Sequence, residues 1–175
     1  VLTAIIALVI VDNTVFAISP DPLASLKNDV HTALAAAPDP VSTGFDRNHY
    51  LETIDGIVQY FRSYQQPDGR IFDPYANREV QYSTPYYAMC ASVLYISGYR
   101  TEADFLESAA LALDRAAYEL YTSAAADGHS NFFVVPCMIA YWNLKSYVAS
   151  SRVSMWDNYL TSMSTGQYNT CCLNW

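Results

Sequence analysis

The segment spanning residues 127–147 constrains the fold more than any other, because a polar loop leads there into the most apolar stretch of the chain. Between positions 132 and 142 every residue except Pro136 is apolar or aromatic, so a helix here has almost no polar face. We expect this helix to be buried on all sides, which requires other helices around it. The sequence therefore predicts an inner helix of a helical array, with its N-terminal loop on the functional face.

Composition narrows the class of protein and of partner. With 175 residues, 52% of them hydrophobic and 15% charged, the chain is long and apolar enough for one globular domain. The formal net charge of −8 argues against a nucleic-acid partner, because phosphate backbones require clustered Lys and Arg. The 15 tyrosines suit either packing between helices or contact with a sugar or peptide ligand.

Amphipathic and more apolar helices alternate along the chain with a repeat of about 45–50 residues, which is typical of helical-hairpin arrays. After a first helix over residues 23–37, we expect amphipathic helices over 49–64, 102–122 and 151–163. More apolar helices are expected over 84–97 and 132–149, with a third beginning at 171. In the helix over 102–122 one stripe is apolar, and the side chains predicted to face water are Glu107, Asp114, Arg115 and Glu119.

Helix capping signals set several of these boundaries. Asp46 or Asn48 is expected to cap the second helix, and Ser83-Thr84 is expected to cap the third ahead of Pro85. Gly98 is a favourable C-terminal stop. Pro136 predicts that its helix either begins near Val135 or is kinked.

If neighbouring helices are antiparallel, the loops that lead into the more apolar helices all lie at one end of the array. These loops, residues 65–82, 124–130 and 165–170, are also the richest in polar side chains. Helix N-termini present free N–H groups and positive potential, which favour a carboxylate ligand. Arg70 and Arg78 in the first loop would add guanidinium groups that bind carboxylates in a bidentate manner.

The helical alternation, the loop Gln65-x-x-Asp68-Gly69-Arg70-Ile71 and the late Asn174-Trp175 resemble the (α/α) toroid domains of carbohydrate-active enzymes. Over residues 45–175 the likeness is greatest to polysaccharide lyases of the alginate-lyase and heparinase II/III kind. The resemblance implies an all-α fold in which antiparallel helical hairpins form part of an (α/α) toroid.

The resemblance also implies a reaction, the β-elimination of a uronate-containing polysaccharide. By analogy His129 is the base, Tyr86 or Tyr87 is the acid, and Asn131 neutralises the uronate carboxylate, although Ser130 separates His129 from Asn131 here. No metal or cofactor is expected. The further residues predicted to bind substrate are Arg70, Arg78, Tyr82, Asn174 and Trp175.

Two other functions fit the same scaffold. A glycoside hydrolase needs paired carboxylates, and Asp68, Asp73 and Asp127 all fall in the polar loops. A non-catalytic scaffold would instead bind glycan or protein through its tyrosine-lined face. In that case His129 is only a loop residue and Asn131 only a helix cap.

The two ends of the sequence suggest export and truncation. Residues 1–17 have an apolar run and small residues Val15 and Ala17 ahead of a cleavage site, so we expect a signal peptide that lacks its start. A buried first strand or helix is the alternative. The signal peptide implies a secreted or otherwise exported protein with no stable membrane anchor after cleavage. Residues 18–175 would then be a partial toroid domain, cut at its C-terminus.

Overall fold

A computed structural model describes residues 43–162 and the isolated position Thr32. Within this part the chain is all-α, as predicted, with no strand and only two isolated bridges. The helices all belong to one compact unit of the chain, Phe45–Trp175. The predicted signal peptide, the helix over 23–37 and the segment 165–175 lie outside the described residues. The five α-helices are α1 Arg47–Arg62, α2 Ser83–Ile96, α3 Ala103–Thr122, α4 Asn131–Leu144 and α5 Ser150–Thr161.

The helix boundaries confirm two of the predicted signals and correct two others. Asp46 caps α1 by accepting a hydrogen bond from the backbone N–H of His49 at 2.8 Å. Gly98, with φ +76°, follows the end of α2 in the left-handed conformation that glycine favours. The predicted hydroxyl cap of α2 is wrong, because Tyr82 occupies the cap position without a side-chain hydrogen bond. Of the two alternatives predicted for Pro136, a helix start near Val135 is wrong, since α4 begins at Asn131 and contains Pro136.

Helices α1 and α3 are parallel, because contacts between them advance in the same direction along both. Arg100, just ahead of α3, binds Asp55 in the middle of α1 through two hydrogen bonds of 2.7 and 2.5 Å. Gln65, just after α1, contacts Ser108 further along α3, with its amide nitrogen 2.9 Å from the Ser108 carbonyl oxygen. Helix α5 extends this set, since Arg152 at its start binds Glu107 of α3 at 2.7 Å. Tyr159 near its end stacks on Tyr121 of α3, 5.1 Å away between ring centroids.

Helices α2 and α4 are parallel to each other and opposite to α3. Ser92 of α2 accepts a hydrogen bond from Asn143 of α4 at 2.9 Å, and Tyr95 packs edge-on against Tyr147 just beyond α4. Helices α2 and α3 pack on each other and are joined only by residues 97–102, so they run in opposite directions, with Tyr87 of α2 2.7 Å from Ser108 of α3. The described chain therefore has two sets of helices, with α1, α3 and α5 in one direction and α2 and α4 in the other.

The core is formed where α3 packs on α2 and α4. Its predicted apolar stripe is fully buried, and the five buried alanines of α3, two of them in this stripe, let the neighbouring helices approach closely. Burying a large side chain stabilises the fold by about 1.5–3 kcal/mol each. The largest buried apolar side chains around this contact are Ile71, Leu94, Phe105, Leu113, Leu120, Phe133, Leu144 and Trp156.

Two burial predictions are wrong. Glu119 was expected to face water, but it is 1% exposed, because α2, α4 and the connection between α1 and α2 pack around this end of α3. Helix α4 was expected to be buried on all sides, but Val135, Ile139 and Trp142 are 60%, 39% and 61% exposed. These three residues share one face of α4, and within residues 43–162 no helix packs on that face.

Candidate functional site

Two connections meet at the end of the array where α2 and α4 begin, and we refer to residues 63–82 and 123–130 together as the rim. Arg78 Nη1 lies 2.7 Å from Asp127 Oδ1, and the backbone N–H of Gln81 donates to Asp127 Oδ2 at 3.2 Å. The prediction that these two loops lie at the same end is confirmed. The third predicted loop, residues 165–170, lies outside the described residues.

The first half of the 63–82 connection is a tight turn packed on α3. The backbone N–H of Gln66 donates to Arg70 O at 2.7 Å, and the predicted Pro67-Asp68-Gly69 turn closes between them. Gly69 is buried at φ +93°, and a Cβ atom added to it would lie 2.2 Å from the backbone oxygen of Leu111. Only glycine fits this position, because it must adopt a positive φ and approach the α3 backbone at the same time.

The second half is a turn organised by Asp73. Its Oδ1 accepts backbone hydrogen bonds from Tyr75 at 2.9 Å and Ala76 at 2.7 Å, and its own N–H donates to Arg78 O at 2.9 Å. Asp73 therefore shapes the backbone that carries Arg78.

Arg70 and Arg78 of the rim are each paired with an aspartate of the rim. Arg70 Nε lies 2.8 Å from Asp68 Oδ2, and Arg78 Nη1 also donates to the backbone oxygen of Glu79 at 2.9 Å. The hydrogen bond from Arg78, followed by that from the Gln81 N–H, holds the pKa of Asp127 below its usual value. Each acidic residue proposed for a hydrolase, Asp68, Asp73 and Asp127, is thus engaged in a structural contact.

The three tyrosines of the predicted site have different surroundings. Tyr82 and Tyr86 are exposed and line an apolar groove of about 130 Å³ between α1 and α2, together with Ile57 and Phe61. Tyr87 is 5% exposed, and its hydroxyl lies 2.7 Å from Ser108 Oγ. Burial raises the pKa of the Tyr87 hydroxyl. Tyr87 is therefore a packing residue with an occupied hydroxyl, whereas Tyr86 is open to solvent.

His129 and Asn131 lie at the entrance to α4. His129 is exposed, and its ring contacts the edge of Phe132 with 5.9 Å between the centroids. Asn131 is the first residue of the helix, and Ser130 occupies the cap position, so the reading of Asn131 as the helix cap is wrong. His129 lies in the rim with Arg70, Arg78 and Tyr82, and Asn131 follows directly after the rim, with no hydrogen bond between these two residues and the other three. Asn174 and Trp175 lie outside the described residues.

A buried acidic pair beneath the rim was missed by sequence reasoning. Thr84 Oγ1 donates to Glu79 Oε1 and accepts a hydrogen bond from the backbone N–H of Ile71 at 2.9 Å. Glu79 also reaches Glu119 near the end of α3, where Arg115 Nε lies 2.6 Å from Glu119 Oε1. The one available signal was the Arg115–Glu119 spacing of four residues, which is equally typical of an exposed helix.

Comparison with protein-family models, curated proteins and solved structures gives no match to the chain. Between residues 43 and 162 no group of three or more His, Cys, Asp or Glu side chains is placed to hold a metal ion. None of the helices over this range is long and apolar enough to cross a membrane.

Proposed function

We propose that this chain forms part of an (α/α) toroid whose rim binds a uronate-containing polysaccharide and cleaves it by β-elimination. The two sets of helices support the toroid, because such an array alternates outer and inner helices of opposite direction. Equivalent contacts also recur at the expected spacing: Asp55–Arg100 and Glu107–Arg152 are each separated by 45 residues.

The observation that carries the proposed function is the link between Arg78 and Asp127. This ion pair joins the two connections. The Arg78 guanidinium, the His129 imidazole and the Asn131 amide therefore lie on segments that meet near the N-termini of α2 and α4. Such a surface favours an anionic ligand, since the helix termini add positive potential to the side-chain donors. Arg78 remains 58% exposed at the side chain and uses Nη1 for both of its intramolecular contacts.

In the proposed reaction, Arg78 and Asn131 neutralise the uronate carboxylate and so acidify the hydrogen on the adjacent carbon. His129 removes that proton, and the electron pair left behind forms a carbon–carbon double bond as the bond to the leaving oxygen breaks. Tyr86 gives a proton to the leaving oxygen. We assign this role to Tyr86 rather than Tyr87, because the Tyr87 hydroxyl is buried against Ser108.

The reaction products distinguish lyase from hydrolase. The purified chain is incubated separately with a polyuronate and with a neutral polysaccharide, and both ultraviolet absorbance and reducing ends are measured. A lyase should raise the ultraviolet absorbance of the polyuronate sample but not of the neutral polysaccharide sample, because only elimination yields a conjugated unsaturated uronate. Reducing ends without absorbance would overturn the proposal in favour of hydrolysis, and no change in either signal would overturn both enzyme assignments.

A non-catalytic glycan-binding function is the second candidate, and the groove between α1 and α2 favours it. Tyr82 and Tyr86 present exposed rings and hydroxyls beside the apolar Ile57 and Phe61, a combination that suits the faces and edges of sugars. A polysaccharide gel should then retain the wild-type chain without forming product. Loss of this retention in Tyr82→Ala and Tyr86→Ala would support binding alone. Retention unchanged by both substitutions would exclude the groove.

A further inference from the structure

We propose that Glu79 and Glu119 share a single proton, and that this proton fastens the 63–82 connection to helices α2 and α3. Loss of the proton at alkaline pH would release the connection and, with it, one side of the rim. This inference concerns the fold beneath the rim and does not depend on the proposed enzymatic activity.

Burial is the first step of the argument. Glu119 is 1% exposed and Glu79 is 9% exposed, so neither carboxyl group has ready access to water. Two negative charges at such a place are strongly unfavourable, because desolvation and mutual repulsion both act against ionisation. Among residues 43–162 one cation, Arg115, contacts the pair, with its Nε 2.6 Å from Glu119 Oε1. A single guanidinium offsets one negative charge and leaves the second uncompensated.

The hydrogen bonds of the two carboxyl groups indicate which oxygen carries the proton. The Thr84 hydroxyl has one hydrogen and donates it to Glu79 Oε1, while its oxygen accepts from the Ile71 N–H. On Glu119, Oε1 accepts from Arg115, and Oε2 is buried without a hydrogen-bond donor in the described part of the chain. A proton on Glu119 Oε2, donated to the adjacent Glu79 carboxylate, satisfies this oxygen and removes the surplus charge.

The surroundings reinforce protonation of Glu119. The facing groups are Arg115 on its own helix, Glu79 from the connection, Thr84 from α2 and Cys137 from α4. Burial, followed by the charge of Glu79 and the hydrogen bond with it, raises the pKa of Glu119 to about 8 against the opposing effect of Arg115. Glu119 also lies in the last turn of α3, where the helix dipole disfavours a negative charge.

The shared proton affects the rim because Glu79 belongs to the 63–82 connection and bonds it to α2 through Thr84. Glu79 follows Arg78 directly, and through Thr84 it is connected to Ile71, which is fully buried. When both carboxyl groups are ionised, their repulsion acts between the connection and α3. We therefore expect the connection 63–82, with Arg78 on it, to loosen before the helices do.

The test compares wild type with Glu119→Gln, whose amide can donate a hydrogen bond to Glu79 but cannot ionise. A group whose pKa is raised on folding stabilises the fold fully below its unfolded pKa, and this stability is lost as pH rises through the folded pKa. Between about pH 5 and about pH 8, the folded-to-unfolded ratio of wild type should therefore fall about tenfold per pH unit relative to Glu119→Gln. Urea titrations across this pH range measure the ratio. If the free energy of unfolding of wild type and of Glu119→Gln changed with pH in the same way, the shared-proton proposal would be overturned.

Three further measurements complete the test. Glu107→Gln, on the exposed side of the same helix, should keep the wild-type loss of stability between about pH 5 and about pH 8, and a flat profile in this variant would contradict the assignment to Glu119. If Glu119→Gln does not fold, infrared spectroscopy of wild type should detect a protonated carboxyl group at neutral pH, and its absence would overturn the proposal.

Amide exchange tests whether the connection is released. Exchange at the Ile71 N–H, corrected for intrinsic rates, should accelerate at alkaline pH more than exchange at the Leu94 N–H. Equal acceleration would contradict release of the connection.

Discussion

Arg78 Nη1 and Asp127 Oδ1 are 2.7 Å apart although 49 residues separate them in sequence. This ion pair connects the loop that leads into α2 with the loop that leads into α4. Asp127 itself has φ +59°, an uncommon conformation for a residue other than glycine, and its carboxylate also accepts the Gln81 N–H. The two loops of the rim are therefore held together by specific side-chain and backbone contacts of Asp127.

A double-mutant cycle with Arg78→Ala and Asp127→Ala should give a favourable coupling free energy of unfolding that declines as salt is added, since both side chains are partly exposed. The pKa of Asp127 is lowered on folding, so its contribution is present above the unfolded pKa and is lost as pH falls through the folded value. Denaturant titrations at pH 7 and at acidic pH measure the coupling. Additive single effects at pH 7 would show that the pair does not join the loops.

Gly69→Ala should destabilise the protein far more than Gly98→Ala. Both glycines have positive φ, but a Cβ atom at Gly69 would meet the Leu111 backbone oxygen at 2.2 Å, whereas nothing lies within 4 Å of one at Gly98. We expect a loss of about 1 kcal/mol for Gly98→Ala and about 3 kcal/mol or more for Gly69→Ala. Chemical denaturation measures both, and equal losses would mean that the turn does not pack on α3 as described.

Tyr86→Phe and Tyr87→Phe form a matched pair that separates catalysis from packing. Removing the buried Tyr87 hydroxyl leaves Ser108 without that partner, so we expect a loss of about 1–3 kcal/mol in unfolding free energy with turnover retained. Removing the exposed Tyr86 hydroxyl should leave stability within about 0.5 kcal/mol of wild type and abolish turnover. Turnover lost in Tyr87→Phe alone would reverse the assignment.

The sequence predicts well what depends on residues close together in the chain. The position of α1 follows from Asp46 and an apolar repeat, and the end of α2 follows from Gly98, because capping involves neighbouring residues only. The meeting of the two rim loops was also predicted, because alternating helix directions place those loops at one end. These are consequences of local pattern and simple geometry.

The environment of single side chains was not predictable in the same way. Glu119 has the spacing of an exposed helical residue relative to Arg115, and only the packing of α2, α4 and the 63–82 connection buries it. Adjacent Tyr86 and Tyr87 are equivalent in the sequence, but helical geometry leaves the Tyr86 side chain exposed and buries the Tyr87 hydroxyl against Ser108. The open face of α4 likewise depends on which helices surround it rather than on its composition.

The most direct test of the proposed reaction is the turnover of a polyuronate by His129→Ala, followed by ultraviolet absorbance and compared with His49→Ala. Both histidines are exposed, so neither substitution should shift the unfolding midpoint. Loss of the general base predicts that His129→Ala is slower than wild type by about 100-fold or more, with His49→Ala unchanged. Turnover by His129→Ala at the wild-type rate would contradict β-elimination at this rim.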